Sequence, residues 1–146
     1  MGKGSTGGER ATSSELEEFV SRVREYCRPA AIILHGSHGS GMAGDWSDID
    51  VIVISETFEG TRLFDRIGEL LKFTRGKIEP LAYTPSEFIS MTKRMNPLAI
   101  NALLLGRPLE GAEFFREAKA IAESFKLVRR GRMWISPSDP AFSRKA

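Results

Sequence analysis

The stretch AAIILHGSHGSGMAGDWSDIDVIVI, residues 30–54, decides the fold of this chain. It opens with an apolar run at residues 30–34 and closes with a β-branched run at residues 51–54. Short apolar runs of this kind are typical of strands that are buried on both faces of a sheet. The segment between them is rich in glycine and serine, which is typical of a loop. The stretch therefore predicts two core strands on neighbouring elements, joined by a Gly-rich connection.

Helical and strand patterns alternate along the rest of the chain. Apolar residues recur with helical spacing in several segments, and Ser14 with Glu17 has the form of a capping box at the start of the first of them. Thr84 followed by Pro85 has the form of another helix start. The predicted helices cover residues 14–26, 60–72, a segment from 84 onward, 96–105 and 113–126, and the predicted strands cover 30–34, 48–54, 77–83 and 128–135.

This order predicts an α/β (α+β) fold, with a small mixed β-sheet flanked by helices. A chain of 146 residues fits one domain. We expect a flexible leader at residues 1–13, a single domain at residues 14–135 and a basic tail at residues 136–146. Residues 126–146 carry six basic residues and one acidic residue, although the net charge of the whole chain is only +2.

The composition predicts a cytoplasmic protein. Cys27 is the single cysteine, so it can form no intramolecular disulfide, and the chain shows no pattern of a secretory signal. The apolar runs are too short to span a bilayer. No membrane partner is therefore expected, and the modest net charge gives little reason to expect nucleic acid.

Two acidic residues stand at the start of the second core strand. Asp48 and Asp50 are two positions apart, so a strand directs both side chains to the same face. Two carboxylates on one face repel each other, and a divalent cation between them relieves that repulsion. Oxygen ligands of this kind suit Mg²⁺ or Mn²⁺. We therefore expect a metal site at this strand end.

Gly36 and Ser37 directly follow the first core strand. Glycine lets backbone N–H groups approach a ligand closely, and the Ser37 hydroxyl adds a donor, so this turn is suited to holding phosphate. A phosphate site and a metal site on neighbouring elements would share one cleft. That arrangement is the one that metal-assisted phosphoryl transfer requires.

In this stretch a strand is followed by Gly-Ser, about ten further residues, Asp-x-Asp and a second strand. This order resembles the DNA polymerase β-like nucleotidyltransferase superfamily. The short chain is similar in length to members of its minimal nucleotidyltransferase (MNT) branch. The resemblance implies that Gly36 and Ser37 bind the β/γ-phosphates and that Asp48 and Asp50 bind two metal ions. Glu79, on the predicted third strand, takes the place of the family's third catalytic and metal-binding carboxylate.

The resemblance also implies the reaction and a partner. A nucleoside triphosphate, with ATP the first choice, would donate its nucleoside monophosphate to a hydroxyl acceptor and release pyrophosphate. The acceptor would be supplied by a separate protein, such as the small helical HEPN partner of MNT toxin–antitoxin modules. The oligomeric state is left open.

The loop departs from the family pattern. Many minimal members read GSRARG, whereas this chain reads GSHGSG and lacks both arginines. His38 would replace part of their charge, although neutral imidazole binds anions less well than guanidinium. We expect His35 to fill a packing position at its strand end.

Three alternatives remain open from the sequence. The first is an antitoxin-like binding module with weak or no catalysis, which the missing arginines favour. The second is a glycosyltransferase that holds a nucleotide-sugar through its Asp-x-Asp pair. The third is a nucleic-acid-binding protein, which depends on the basic tail alone.

Overall fold

The computed structural model describes residues 8–35, 49–75 and 77–138. Five α-helices, one 3₁₀ turn and six strands alternate along this part of the chain. In chain order they are α1 (Gly8–Cys27), β1 (Ala31–His35), β2 (Ile49–Ile54), the 3₁₀ turn (Glu56–Phe58), α2 (Leu63–Leu71), β3 (Ile78–Tyr83), α3 (Pro85–Lys93), α4 (Pro97–Leu105), β4 (Arg107–Glu110), α5 (Ala112–Ser124), β5 (Val128–Arg130) and β6 (Met133–Ile135).

The main sheet is mixed and has the strand order β3-β2-β1-β4. Strand β1 pairs antiparallel with both β2 and β4, whereas β2 and β3 are parallel. Helix α2 provides the crossover that a parallel pair requires. The predicted α/β fold with a small mixed sheet is therefore confirmed. Pro80 lies in β3 at the edge of this sheet, where the sequence placed it.

Helices cover both faces of the sheet, which explains why β1 and β2 are apolar almost throughout. Alternate strand residues such as Ile32 and Val51 face one core, which also contains residues of α1 and α2. The intervening residues, such as Ile33 and Ile52, face a second core with residues of α3, α4 and α5. A strand buried on both sides has no polar face to alternate with its apolar one.

The first helix begins earlier than the sequence predicted. Helix α1 starts at Gly8, so it covers residues 8–13 of the segment that was expected to be a flexible leader, and Ser14 lies inside the helix rather than at its cap. Glu9, Arg10 and Ala11 are good helix formers, which accounts for the additional turns. Residues 1–7 lie outside the described residues.

The two helices that follow β3 start as their sequences predicted. Thr84 accepts a hydrogen bond from the Glu87 backbone N–H, and the Glu87 side chain accepts one from the Thr84 N–H, which completes a capping box. Asn96 caps α4, and its side-chain oxygen accepts from the N–H groups of Leu98 and Ala99. Such caps satisfy amide groups that the first turn of a helix leaves unpaired.

The end of the domain forms a hairpin instead of the single strand predicted for residues 128–135. Strands β5 and β6 pair antiparallel in a sheet of their own, with Gly131 in the left-handed region at the turn between them. The Trp134 Nε1 donates to the Asn101 Oδ1 of α4 at 2.7 Å, which fastens the hairpin to the helical layer. The sequence pattern missed the turn because Arg-Gly-Arg is a weaker hairpin signal than Asn-Gly or Asp-Gly.

Candidate active site at the end of the sheet

A row of three polar side chains crosses three neighbouring strands at one end of the main sheet. His35 is the last residue of β1 and is the register partner of Asp50 in β2. Asp50 is in turn the register partner of Glu79 in β3. Register partners on adjacent strands project to the same face of a sheet. The structure therefore brings two of the predicted site residues, Asp50 and Glu79, side by side.

This row lies on the face covered by the C-terminal helices. Asp50 lies on the same face of β2 as Ile52, and Glu79 lies on the same face of β3 as Leu81. Both apolar residues pack in the core that contains α3, α4 and α5. Ile49, Val51 and Val53 face the opposite core, as the strand pattern predicted. Exposure rises along the row, because His35 is buried, Asp50 is half-buried and Glu79 is exposed. The row thus opens to solvent at Glu79.

His35 is the most buried member of the row, which confirms the packing position that the sequence predicted for it. Its Nε2 is buried and has no hydrogen-bond partner among the described residues. Burial lowers the pKa of His35 below its ordinary value of 6.5, and the negative charge of Asp50 opposes that fall. The imidazole is therefore neutral near pH 7, and it brings no positive charge to the carboxylates.

The remaining predicted site residues lie outside the described residues. These are the phosphate-binding candidates Gly36, Ser37 and His38 and the metal-binding candidate Asp48. In the chain they fall between His35, which ends β1, and Ile49, which begins β2. Their roles therefore stay predictions. The described residues that flank this segment, His35 and Ile49, lie in the row and directly beside it.

The donors in this row fit a hard divalent cation. Adjacent carboxylates provide oxygen ligands, which Mg²⁺ and Mn²⁺ prefer over nitrogen and sulfur. Within residues 8–35, 49–75 and 77–138, however, no three His, Cys, Asp or Glu side chains form a group that could hold a metal ion. Asp50 and Glu79 could thus supply two oxygen ligands, and the third predicted ligand, Asp48, lies outside the described residues.

Another acidic residue, Glu87, lines an open cavity of about 540 Å³ between α2 and α3, away from the row. Its carboxylate accepts hydrogen bonds from Arg66 at 2.7 and 3.0 Å. The Arg66 guanidinium also donates to the backbone oxygens of Thr61 and Ala82. The hydrogen bonds from Arg66 hold the pKa of Glu87 below its ordinary value. Because both charges are used to join α2, β3 and α3, this cavity is a structural joint and not the candidate active site.

One of the basic residues near the C-terminus, Arg129, has a structural role. The Arg129 guanidinium lies 5.6 Å from the centre of the Trp134 ring, and its Nε donates to the Gly131 backbone oxygen. Both contacts stabilise the β5–β6 hairpin.

Within the described part of the chain, no helix has the length and apolar character needed to cross a membrane.

A mixed sheet covered by helices on both faces, with paired carboxylates at one end, defines an α/β domain with an acidic site. The family model for nucleotidyltransferase domains matches residues 14–125, which is most of the chain. The chain therefore belongs to the nucleotidyltransferase domain family. Membership supports nucleotidyl transfer as the general class of activity.

The match includes every element from β1 to α5, and it covers the Gly-Ser and Asp-x-Asp stretch at residues 30–54. Among solved structures, the chain is similar to a crystal structure from Sulfolobus solfataricus that is described provisionally as a nucleotidyltransferase. The two share 23% sequence identity and a TM-score of 0.49, over 60% of this chain and 79% of the other. Among curated proteins, none matches the chain significantly.

Proposed function

We propose that this protein transfers a nucleoside monophosphate from a nucleoside triphosphate, with ATP the first candidate, to a hydroxyl acceptor. The site would be formed by Asp50 and Glu79, together with Asp48 and the Gly36–Ser37 turn. The observation that carries the proposal is the register pairing of Asp50 with Glu79 on adjacent parallel strands. Like charges directly opposite each other on adjacent strands destabilise a sheet, so this pairing favours a functional role for the two carboxylates.

The carboxylates share the metal in this proposal, and Glu79 has a second task. Asp50, half-buried in the middle of the row, would hold Mg²⁺ or Mn²⁺ together with Asp48 and Glu79. When bound, the metal would neutralise charge on the phosphate oxygens. Glu79 is exposed, so an acceptor that arrives from solvent meets it first. It would accept the proton of the attacking hydroxyl while the new O–P bond forms at the α-phosphorus and the bond to the pyrophosphate leaving group breaks.

The resemblance to the minimal branch supports an extension of this proposal to the acceptor. We propose that the hydroxyl belongs to a separate small helical protein of the HEPN type, as in MNT/HEPN toxin–antitoxin modules, and that the reaction takes place in the cytoplasm. The GSHGSG loop, which lacks the family's two arginines, favours the alternative of an antitoxin-like binding module. In that case nucleotide would bind, but no turnover would follow.

The test combines nucleotide binding with turnover. Calorimetry measures binding of ATP with and without Mg²⁺, and release of pyrophosphate in the presence of a candidate HEPN protein measures transfer. Asp50→Asn and Glu79→Gln remove one charge each at nearly constant size, and Glu123→Gln, on the exposed side of α5, is the matched control. Circular dichroism verifies that each variant is folded.

We expect Asp50→Asn and Glu79→Gln to lower the transfer rate more than about 100-fold, since metal-assisted charge stabilisation contributes several kcal/mol. Glu123→Gln should behave as wild type. Metal-dependent binding without pyrophosphate release would favour the binding module. Transfer that persists at the wild-type rate in Asp50→Asn would refute the proposed site.

A further inference from the structure

Helix α2 presents an apolar stripe to solvent. Phe64, Ile67, Gly68 and Leu71 are spaced i, i+3, i+4 and i+7, so they lie along one side of the helix. Phe64 is 83% exposed and Leu71 is 47% exposed, whereas the opposite side of the helix is buried through Leu70. An apolar stripe on a surface helix is typical of an interaction site. We call these four residues the α2 stripe.

Beyond the backbone of its own helix, no described residue packs against Gly68 in the middle of the α2 stripe, because a Cβ added there would meet none of their atoms within 4 Å. Glycine in a helix interior is less favourable than alanine, so its presence calls for a reason outside the helix. The absence of a side chain at this point allows a second helix to approach the backbone of α2 closely.

Charges beside the stripe identify the partner. Asp65 and Lys72 flank the α2 stripe on one side, and they are seven residues apart, as are Phe64 and Leu71. A two-fold axis midway between Ile67 and Gly68 would therefore place Phe64 of each helix beside Leu71 of the other. The midpoint between Asp65 and Lys72 lies one residue further along the helix, so the same axis leaves Asp65 of each helix about 3 Å out of register with Lys72 of the other, within reach of the long lysine side chain.

We propose that α2 is the interface of a homodimer in which the two α2 helices pack antiparallel about an axis between Ile67 and Gly68. Asp65 and Lys72 are exposed, and among the described residues they form ion pairs with near neighbours in sequence, Arg62 at 3.5 Å and Glu69 at 3.2 Å. Exposed pairs of this kind contribute little, so they can exchange for pairs between subunits. The same sequence thus matches itself in both apolar and charged positions.

The length of α2 limits the expected affinity of the proposed dimer. A helix of nine residues is about 13.5 Å long. An interface limited to this helix buries less than the about 1,200 Å² of typical stable complexes, so the dimer should be weak and should form at micromolar or higher concentration. This inference does not depend on the proposed nucleotidyl transfer. The α2 stripe and the row of His35, Asp50 and Glu79 lie on opposite faces of the sheet.

Sedimentation velocity of the full chain from about 5 to about 500 micromolar tests the proposal. Phe64→Glu places a charge at the N-terminal end of the α2 stripe, and Phe64 is so exposed that the fold should tolerate the change. Met133→Glu is the matched control, because Met133 is 64% exposed in the hairpin and lies away from the stripe. Asp65→Lys, Lys72→Asp and the double exchange test the charged pairs.

We expect the wild-type mass to rise toward twice the monomer value with concentration. Phe64→Glu should weaken the dimer at least about tenfold, and Met133→Glu should leave it unchanged. Asp65→Lys and Lys72→Asp should each weaken it several-fold, and the double exchange should restore it. A wild type that stays monomeric throughout the range would overturn the proposal. So would a dimer that Phe64→Glu does not weaken.

Discussion

Replacing Gly106 with alanine should disturb the sheet end that carries the candidate site. Gly106 lies between α4 and β4, and a Cβ there would stand 2.4 Å from the Leu34 backbone oxygen and 2.5 Å from that of Ala102. Ordinary contacts of a Cβ begin at about 3.4 Å, so one of these backbones must move by nearly 1 Å. Leu34 directly precedes His35, the first member of the polar row.

The expected loss in the free energy of unfolding follows from the contact of the added Cβ with backbone atoms. Overpacking that forces backbone shifts costs about 1 to 3 kcal/mol. The lower chain entropy of alanine in the unfolded state offsets up to about 1 kcal/mol of this. We therefore expect Gly106→Ala to lower the free energy of unfolding by about 1 to 2 kcal/mol, measured by urea denaturation. Because Leu34 belongs to β1, a shift of its backbone should weaken nucleotide binding at the row as well.

Gly68→Ala provides the matched control for the same chemical change. Nothing lies within 4 Å of its added Cβ, so the free energy of unfolding should rise by up to about 1 kcal/mol. Both variants are measured at low concentration, where the proposed dimer dissociates. If Gly106→Ala is as stable as wild type and binds nucleotide equally well, the idea that this contact fixes the end of β1 is wrong.

Three further predictions concern the joints of the fold. Arg66→Met should lower the free energy of unfolding by about 2 to 4 kcal/mol in urea titrations, because it removes a buried charge partner and leaves two backbone oxygens unpaired. Since the folded state holds the pKa of Glu87 below its ordinary value of 4.5, the stability from this pair is complete above that pH and is lost as the pH falls through the lowered pKa. Thermal melting between about pH 6 and pH 3 should therefore show a smaller loss for Glu87→Gln than for wild type. Trp134→Phe should cost about 1 kcal/mol through its lost hydrogen bond to Asn101, and hydrogen exchange should increase first in the hairpin.

The sheet and its flanking helices could be predicted from the sequence because their signals are local. The apolar runs of β1 and β2 predict burial on both faces, and the caps at Thr84 and Asn96 fix two helix starts. The predicted start of α1 at Ser14 was wrong, because the capping-box pattern of Ser14 and Glu17 lies inside the helix. The β5–β6 turn was missed because its Arg-Gly-Arg sequence is not specific to a turn type.

The candidate site was predictable only in part. The family resemblance implied that Glu79 joins the Asp-x-Asp pair, and the structure places Glu79 as the register partner of Asp50. Their register across two strands depends on long-range pairing, which no local pattern specifies. The same limit applies to His35, whose contact with Asp50 arises only when β1 and β2 pair. The joint between Arg66 and Glu87 likewise spans 21 residues and has no local signal.

Paramagnetic broadening by Mn²⁺ bound with a non-hydrolysable ATP analogue tests the central claim most directly. Amide NMR signals at Asp50 and Glu79 should broaden and disappear, whereas those of Ile54 and Tyr83, about 13 Å further along the same strands, should broaden less. Asp50→Asn should abolish the effect. Broadening that is absent in wild type, or that centres on another surface, would contradict a metal-nucleotide site at the carboxylate row.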